Sequence, residues 1–245
     1  MKLFDAHCHL ANLSEKIPLL PLLQDATEKG ISSFVSSVLR KNELIWHRQN
    51  PDKRIIFSAG IHPNFDECDL DLALIKQLCE AKTIWAIGEI GLDNGNPEID
   101  WQREVFRAQL QLAVSFALPV VLHIVGHQSE ACETIKQYSL PYLVHGYAGS
   151  KEGFEQLSSL KPVFTISSRL LKEDKFDLLL AMLNYPHIMF ETDITQYYVK
   201  TGETNPLLRL INLVEACSEL SGISVQDLLN RQQKSAELIL PTEFV

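Results

Sequence analysis

WQREVFRAQLQLAVSFALPVVLHI, residues 101–124, sets a helix and a strand back to back. Over 101–117 apolar residues recur at helical spacing, with Val105, Leu110, Leu112 and Phe116 turned inward. Gln102, Arg103 and Gln109 are expected to stay wet on the same helix. Over 118–124 the run is apolar without alternation, as in a parallel strand covered on both faces. That strand ends in His123. A helix leading into a buried strand is half of a βαβ unit, so the fold turns on whether the unit repeats.

It does repeat. Comparable β-rich runs stand at 2–7, 32–38, 54–61, 83–90, 141–146, 162–167 and 187–192, which with 118–124 makes eight. Helical spacing fills 17–30, closing on Gly30 as a C-terminal cap, then 71–82 and 175–185. The stretch 206–240 reads as two helices parted at SGIS, 221–224. Eight strands alternating with helices imply a (β/α)8 TIM barrel, with an open doubly wound sheet as the alternative. No composition shift or linker divides the chain, so residues 1–245 read as a single domain.

Composition narrows the function. The 22 basic against 31 acidic residues leave a charge of −9, which argues against a broad basic surface tracking nucleic acid. A small anionic group held locally by bound cations stays compatible with that balance. The start, MKLFDAHCHL, breaks its apolar run too early for a secretory signal, and no apolar run is long enough to span a bilayer. Five scattered cysteines (Cys8, Cys68, Cys79, Cys132, Cys217) form no CxxC pair and read as reduced thiols, so a cytoplasmic location is expected.

The polar residues fall at one end of the strands. FDAHCHL, 4–10, places Asp5, His7 and His9 on one strand face by alternation, with Cys8 on the other. His62 follows the third strand, Glu89 ends the fourth, His123 and His145 end the fifth and sixth, and Asp193 follows the eighth. In an α/β barrel these ends share the face that carries the active site. Four imidazoles and two carboxylates crowded there would be costly to bury without a cation. Imidazole and carboxylate ligation suits Zn, Mn, Fe, Co or Ni, and Mg where waters complete the shell. Six ligands suggest two ions sharing a carboxylate. Of the other histidines, His47 reads as a solvated helix residue, His187 starts the eighth strand at the far end, and His127 lies ambiguously in the loop after the fifth.

FDAHCHL, AGIHPN, AIGEIGLD, QREVFRAQLQLAVSFALPVVLH, VHGYAGS and FETD, in that order, resemble the TatD family of metal-dependent hydrolases over nearly the whole chain. The resemblance implies a (β/α)8 barrel with two divalent cations (Mg, Mn or Zn) and activity on DNA ends or another phosphodiester. It implies one cation on His7, His9, Glu89 and Asp193, and a second on Glu89, His123 and His145. Glu89 and Asp193 would be catalytic, Asp193 orienting or deprotonating the attacking water, and His62 would contact the scissile phosphate. The chain also departs from the family. Val125 replaces a usual arginine, Gly146 and Tyr147 replace Cys and Phe of HCFSG, Thr195 replaces a proline, and Thr204 replaces the arginine of RN-x-P. Arg169, just beyond the seventh strand, is the nearest cation to take over phosphate contact, with Lys151 a weaker candidate.

The leading reading is therefore a metal-dependent phosphodiesterase of deoxyribonuclease type. Two alternatives accompany it: a hydrolase of C–N or C–O bonds on the same barrel, and a barrel serving as a subunit of a larger complex. Against the first, Glu89 stands where many such hydrolases use a carbamylated lysine.

Overall fold

The computed structural model describes residues 3–244, so Lys2 of the first expected strand lies outside the described residues. The chain runs β1 (Leu3–Cys8), α1 (Leu10–Ser14), α2 (Leu19–Glu28), β2 (Ile31–Val38), α3 (Lys41–Gln49), β3 (Ile55–Ala59), α4 (Leu72–Glu80) and β4 (Ile87–Asp93). It continues α5 (Ile99–Phe116), β5 (Val120–Val125), α6 (Gln128–Ile135), β6 (Tyr142–Val144), α7 (Lys151–Ser158), β7 (Val163–Ile166), α8 (Phe176–Asn184), β8 (Ile188–Phe190), α9 (Arg209–Ser221) and α10 (Val225–Ile239).

The eight strands pair in sequence order, every neighbouring pair parallel. The seam between β8 and β1 is closed just beyond β8. Asp193 donates its backbone N–H to His7 O and His9 donates to Ile194 O, both at 3.0 Å. Thr192 adds its N–H and hydroxyl to the Asp5 carboxylate at 3.0 and 2.6 Å. The barrel is a TIM barrel, as the alternation of runs implied.

Two apolar layers hold it. Between sheet and helices lies the larger, with Phe34, Ile75, Leu78, Phe106 and Leu110 fully covered. Inside the barrel a smaller floor joins Phe4, Val35, Val121, Leu143, Val163 and Met189, and the last turn of α10 plugs it with Ala236, Ile239 and Leu240. Each large side chain fully covered is worth about 1.5–3 kcal/mol against leaving it in water. The floor fills the lower half of the barrel, so polar residues on the upper half of the same faces have one direction left to point.

Local signals set the helix limits. Asp71 accepts from Leu74 N at 2.8 Å and starts α4, and Ser224 accepts from Asp227 N at 3.1 Å and starts α10. Gly222, at φ +71°, ends α9 inside the expected break.

Four expectations need correcting. The fourth strand begins at Ile87 and runs to Asp93, four residues later than the run 83–90 suggested. Gln102 and Gln109 are buried, because α5 carries them under the barrel rim as backbone clasps. Gln109 accepts from Ile61 N at 2.7 Å and donates to Ile61 O at 3.2 Å. Gln102 does the same for Asp93, at 2.8 and 2.9 Å. His47 is buried too, its ring stacked on Phe57 at 4.4 Å. Burial pushes the His47 imidazole down to about 4. Finally, Asp5 does not join the histidines. The pairing of β1 slips between Asp5 and Cys8, so Phe4 and Ala6 enter the floor while Asp5 turns to Thr192.

Candidate metal centre

Glu89 is the hub. It lies on β4, 2 % exposed, and its two carboxylate oxygens face different sets of imidazoles. Oε1 is 3.1 Å from His7 Nε2 and 3.1 Å from His9 Nε2. Asp193 Oδ1 closes that side, 3.7 Å from His7 Nε2 and 3.5 Å from His9 Nε2. Oε2 is 2.8 Å from His145 Nε2, 3.6 Å from His123 Nδ1 and 3.5 Å from His62 Nε2. The cluster floors a cleft of about 240 Å³ at the C-terminal mouth of the barrel.

Tight packing of glycine brings these groups together. Gly91, at φ +151°, follows Glu89 by two, and a Cβ there would sit 1.9 Å from His123 O. Only a residue without a side chain lets β4 and β5 approach this closely, which draws His123 onto Glu89.

The donor set fits divalent cations. His7 Nε2 and Glu89 Oε1 are both buried and lack a hydrogen-bond partner, although they lie 3.1 Å apart, because the two are not aligned to bond each other. A cation received by both would satisfy them, which is the usual resolution for buried polar atoms of this kind. His7 with His9 and Glu89, and His62 with Glu89 and His123, each bring donor atoms close enough to share one ion.

Charge in the cluster is strongly coupled. Burial alone would raise the Glu89 carboxyl, yet the His145, His7 and His9 imidazoles outweigh it and hold it well below the usual carboxylate range. Burial also opposes charge on His145, but Glu89 and Glu191 carry it up to about 10. His7, the deepest imidazole, is pushed down by burial and by its neighbour His145, whose ring stacks on it at 3.9 Å.

Two of the imidazoles are also aimed from behind by carboxylates. His123 Nε2 lies 2.8 Å from Asp93 Oδ2, so Nε2–H donates to that carboxylate and the Nδ1 lone pair is left facing His145 Nε2 at 3.1 Å and Glu89 Oε2 at 3.6 Å. Asp93 is in turn anchored by Gly95 N at 2.7 Å. Burial works against its charge, but the His123 bond brings the Asp93 carboxyl down to about 2. Behind His145 Nδ1, Glu191 Oε2 stands 3.8 Å away, fully buried.

His62 differs from the others. Its Nδ1 accepts Asn64 N–H at 2.9 Å, and burial pushes its pKa down, keeping the ring neutral. A neutral ring whose Nδ1 accepts must carry its proton on Nε2. His62 thus presents an N–H to the cleft, which suits donation to a substrate oxygen better than ligation.

The remaining sequence candidates sort as follows. Arg169 lines the cleft, with Nη2 2.5 Å from Asp193 Oδ2. Gly146 makes room for it, since a Cβ there would lie 3.1 Å from Arg169 Nη1. Lys151 begins α7, and His127 pairs at 3.7 Å with Glu130, outside the cleft wall. Val125 and Thr204 are not on that wall either, and Tyr147 is buried with its hydroxyl on Ser150 O at 2.8 Å. Sequence reasoning missed Asp93 and Glu191. Alternation was the available signal: Asp93 lies two and four residues on from Gly91 and Glu89, and Glu191 lies two before Asp193.

Comparison with known proteins relates the chain to one family and one fold. The family described as TatD related DNase matches residues 4–240. The uncharacterized metal-dependent hydrolase YjjV of Escherichia coli is 24 % identical over 204 residues, covering 78 % of this chain and 79 % of the relative. The 3'-5' ssDNA/RNA exonuclease TatD of Erwinia billingiae is 36 % identical over 106 residues, 40 % of each chain. Among solved structures, the Escherichia coli TatD homologue YjjV superposes with a TM-score of 0.81 at 22 % identity, covering 96 % of both chains. A TatD-family hydrolase of Entamoeba histolytica gives 0.80 at 18 % identity, covering 99 % of both.

Proposed function

This chain belongs to the TatD-related DNase family of metal-dependent hydrolases, and from that premise we propose that it is a two-cation phosphodiesterase acting on nucleic-acid ends. The observation that carries the reading is Glu89: one buried carboxylate, with one oxygen turned to His7 and His9 and the other to His123 and His145. His7, His9, Glu89 Oε1 and Asp193 would hold one ion, and Glu89 Oε2, His123 and His145 the other. When bound, such a pair, Mg, Mn or Zn, would activate a water and offset the charge building on the phosphate.

The chain's own groups do the rest. Asp193 spends Oδ1 on the His7–His9 side and Oδ2 on Arg169, so its carboxylate is fixed in place to orient the attacking water and take its proton. His62 offers its Nε2–H to a phosphate oxygen, held in that tautomer by Asn64. Arg169 is 43 % exposed at its side chain and can add a charge-assisted bond to the same phosphate without leaving Asp193. A cytoplasmic setting accords with five unpaired cysteines, and among the described residues no helix is long and apolar enough to cross a membrane.

The test is a panel of phosphodiester, phosphomonoester and amide substrates with Mg, Mn and Zn. Release of nucleotides from oligonucleotide ends, dependent on the ion, supports the proposal. Hydrolysis of the amide alone would move the chain to the C–N hydrolases.

A further inference from the structure

Arg169 is the one Lys or Arg among the described residues lining the cleft, and it is already paired with Asp193. Val125 brings no donor. The whole chain carries −9. The adjoining hollow, which shares Arg169, Asp193 and Tyr198 with the cleft, brings Lys200 and Arg209, and Arg209 is paired with Glu203. Cations beside the cluster are therefore few, and a second kind of contact is needed to hold a strand.

The cleft wall supplies aromatic faces instead. The chain leaves Asp193 through Ile194 and makes a short turn over Gln196–Tyr198, begun by Thr195, whose hydroxyl accepts Tyr197 N–H at 3.3 Å. This turn sets Tyr197 and Tyr198 side by side on the cleft wall, 59 % and 55 % exposed. Phe65, from the loop after β3, lines the same cleft. These rings lie beside the metal cluster, not out on a remote surface.

The turn is also held in position. Tyr197 Oη donates to Glu67 Oε1 at 3.1 Å, and Glu67 is fixed by Arg40 Nη1 at 3.0 Å. Gln196 N donates to Asn12 Oδ1 at 2.9 Å, and its side-chain amide donates to Glu15 at 2.6 Å. A ring tethered by its hydroxyl keeps its face free, and little further ordering is needed when a flat partner arrives.

We propose that Tyr197 and Tyr198, together with Phe65 of the same cleft, are a stacking platform for the bases next to the scissile phosphate of a nucleic-acid end. This inference rests on the phosphodiesterase reading and names the part of the substrate that the protein recognises. Base–aromatic stacking is sequence-tolerant and contributes roughly 5- to 150-fold in affinity for each stacked base.

The experiment compares two short DNA strands with identical phosphodiesters, one carrying bases throughout and one with abasic tetrahydrofuran residues at both terminal positions at each end. The cation-loaded protein should favour the base-bearing strand at least tenfold in KM. In a Tyr197→Leu, Tyr198→Leu protein that preference should fall to about threefold or less, while Tyr197→Phe, Tyr198→Phe should retain it, because the ring face does the work. A terminal 2-aminopurine should be quenched on binding to the parent and not to the leucine variant. Equal cleavage of the two strands by the parent would overturn the platform and leave the phosphodiesterase standing. So would a preference that survives in the leucine variant. A parent that cleaves neither strand nor any other phosphodiester fails the underlying reading, and this inference with it.

Discussion

Replacing Asp93 by asparagine changes one atom and should disable one half of the metal centre. Asp93 Oδ1 accepts from Gly95 N and Oδ2 accepts from His123 Nε2. An asparagine that keeps its oxygen on Gly95 must turn its NH2 toward His123, setting donor against donor. His123 escapes by moving its proton to Nδ1, which removes the lone pair that faces Glu89 Oε2. The opposite amide orientation keeps His123 but leaves the Gly95 N–H against an NH2. Either way a charge-assisted bond is lost, at a cost of about 2 kcal/mol, or about thirtyfold in affinity. The loss should fall on the ion held by His123 and His145, because Asp93 bonds to neither His7 nor His9. Calorimetric titration of the metal-free protein with Zn or Mn, fitted to two sites, reads this directly. Equal weakening of both sites, or no weakening, would refute the tautomer argument.

Other outcomes follow from the same structure. Loading a cation at pH 8 should release at least one proton, since His145, raised to about 10, is protonated there without metal and must lose its proton to become a ligand; heats that do not vary with buffer ionisation enthalpy would contradict this. His47 is lowered to about 4 in the folded protein against about 6.5 unfolded, so the unfolded state takes up the proton first. The contribution of His47 should be full above pH 6.5 and fall by about 3 kcal/mol as pH drops toward 4, while Asp5, raised to about 7, acts in the opposite sense over that window. The reading is therefore the difference between parent and His47→Phe in urea melts: the variant should lose less stability than the parent on acidification, and equal losses would count against it. Gln109→Leu should cost about 2–4 kcal/mol by leaving Ile61 N and O unpaired, and a loss below about 1 kcal/mol in urea melts would contradict the clasp. Gly91→Ala should prevent the close β4–β5 approach and abolish metal binding at the His123 side, and normal two-site binding would show otherwise.

The barrel was legible because its strands are continuous apolar runs, a pattern that physics allows when both faces are covered. The cluster was legible because His7, His9, His123, His145 and Asp193 sit at or just past the ends of such strands, and Glu89 falls at the end of the apolar run 83–90 although β4 itself continues to Asp93. What escaped has a common cause. A buried amide such as Gln109 looks polar in sequence, and its burial depends on a partner backbone 48 residues away. His47 was misread likewise, because its cover comes from Phe57 on the next strand. Asp93 was missed because the apolar start TIWA drew the fourth strand four residues too early. That left Asp93 outside the strand, although alternation from Glu89 puts it on the same face.

The central claim is that Glu89 joins two cations. Crystals of the protein loaded with Mn, with data collected at the Mn absorption edge, test it without reference to any substrate. The account requires two anomalous peaks on either side of the Glu89 carboxylate, one reached by His7 and His9 and the other by His123 and His145. A single peak, or two peaks that Glu89 does not touch, would contradict it.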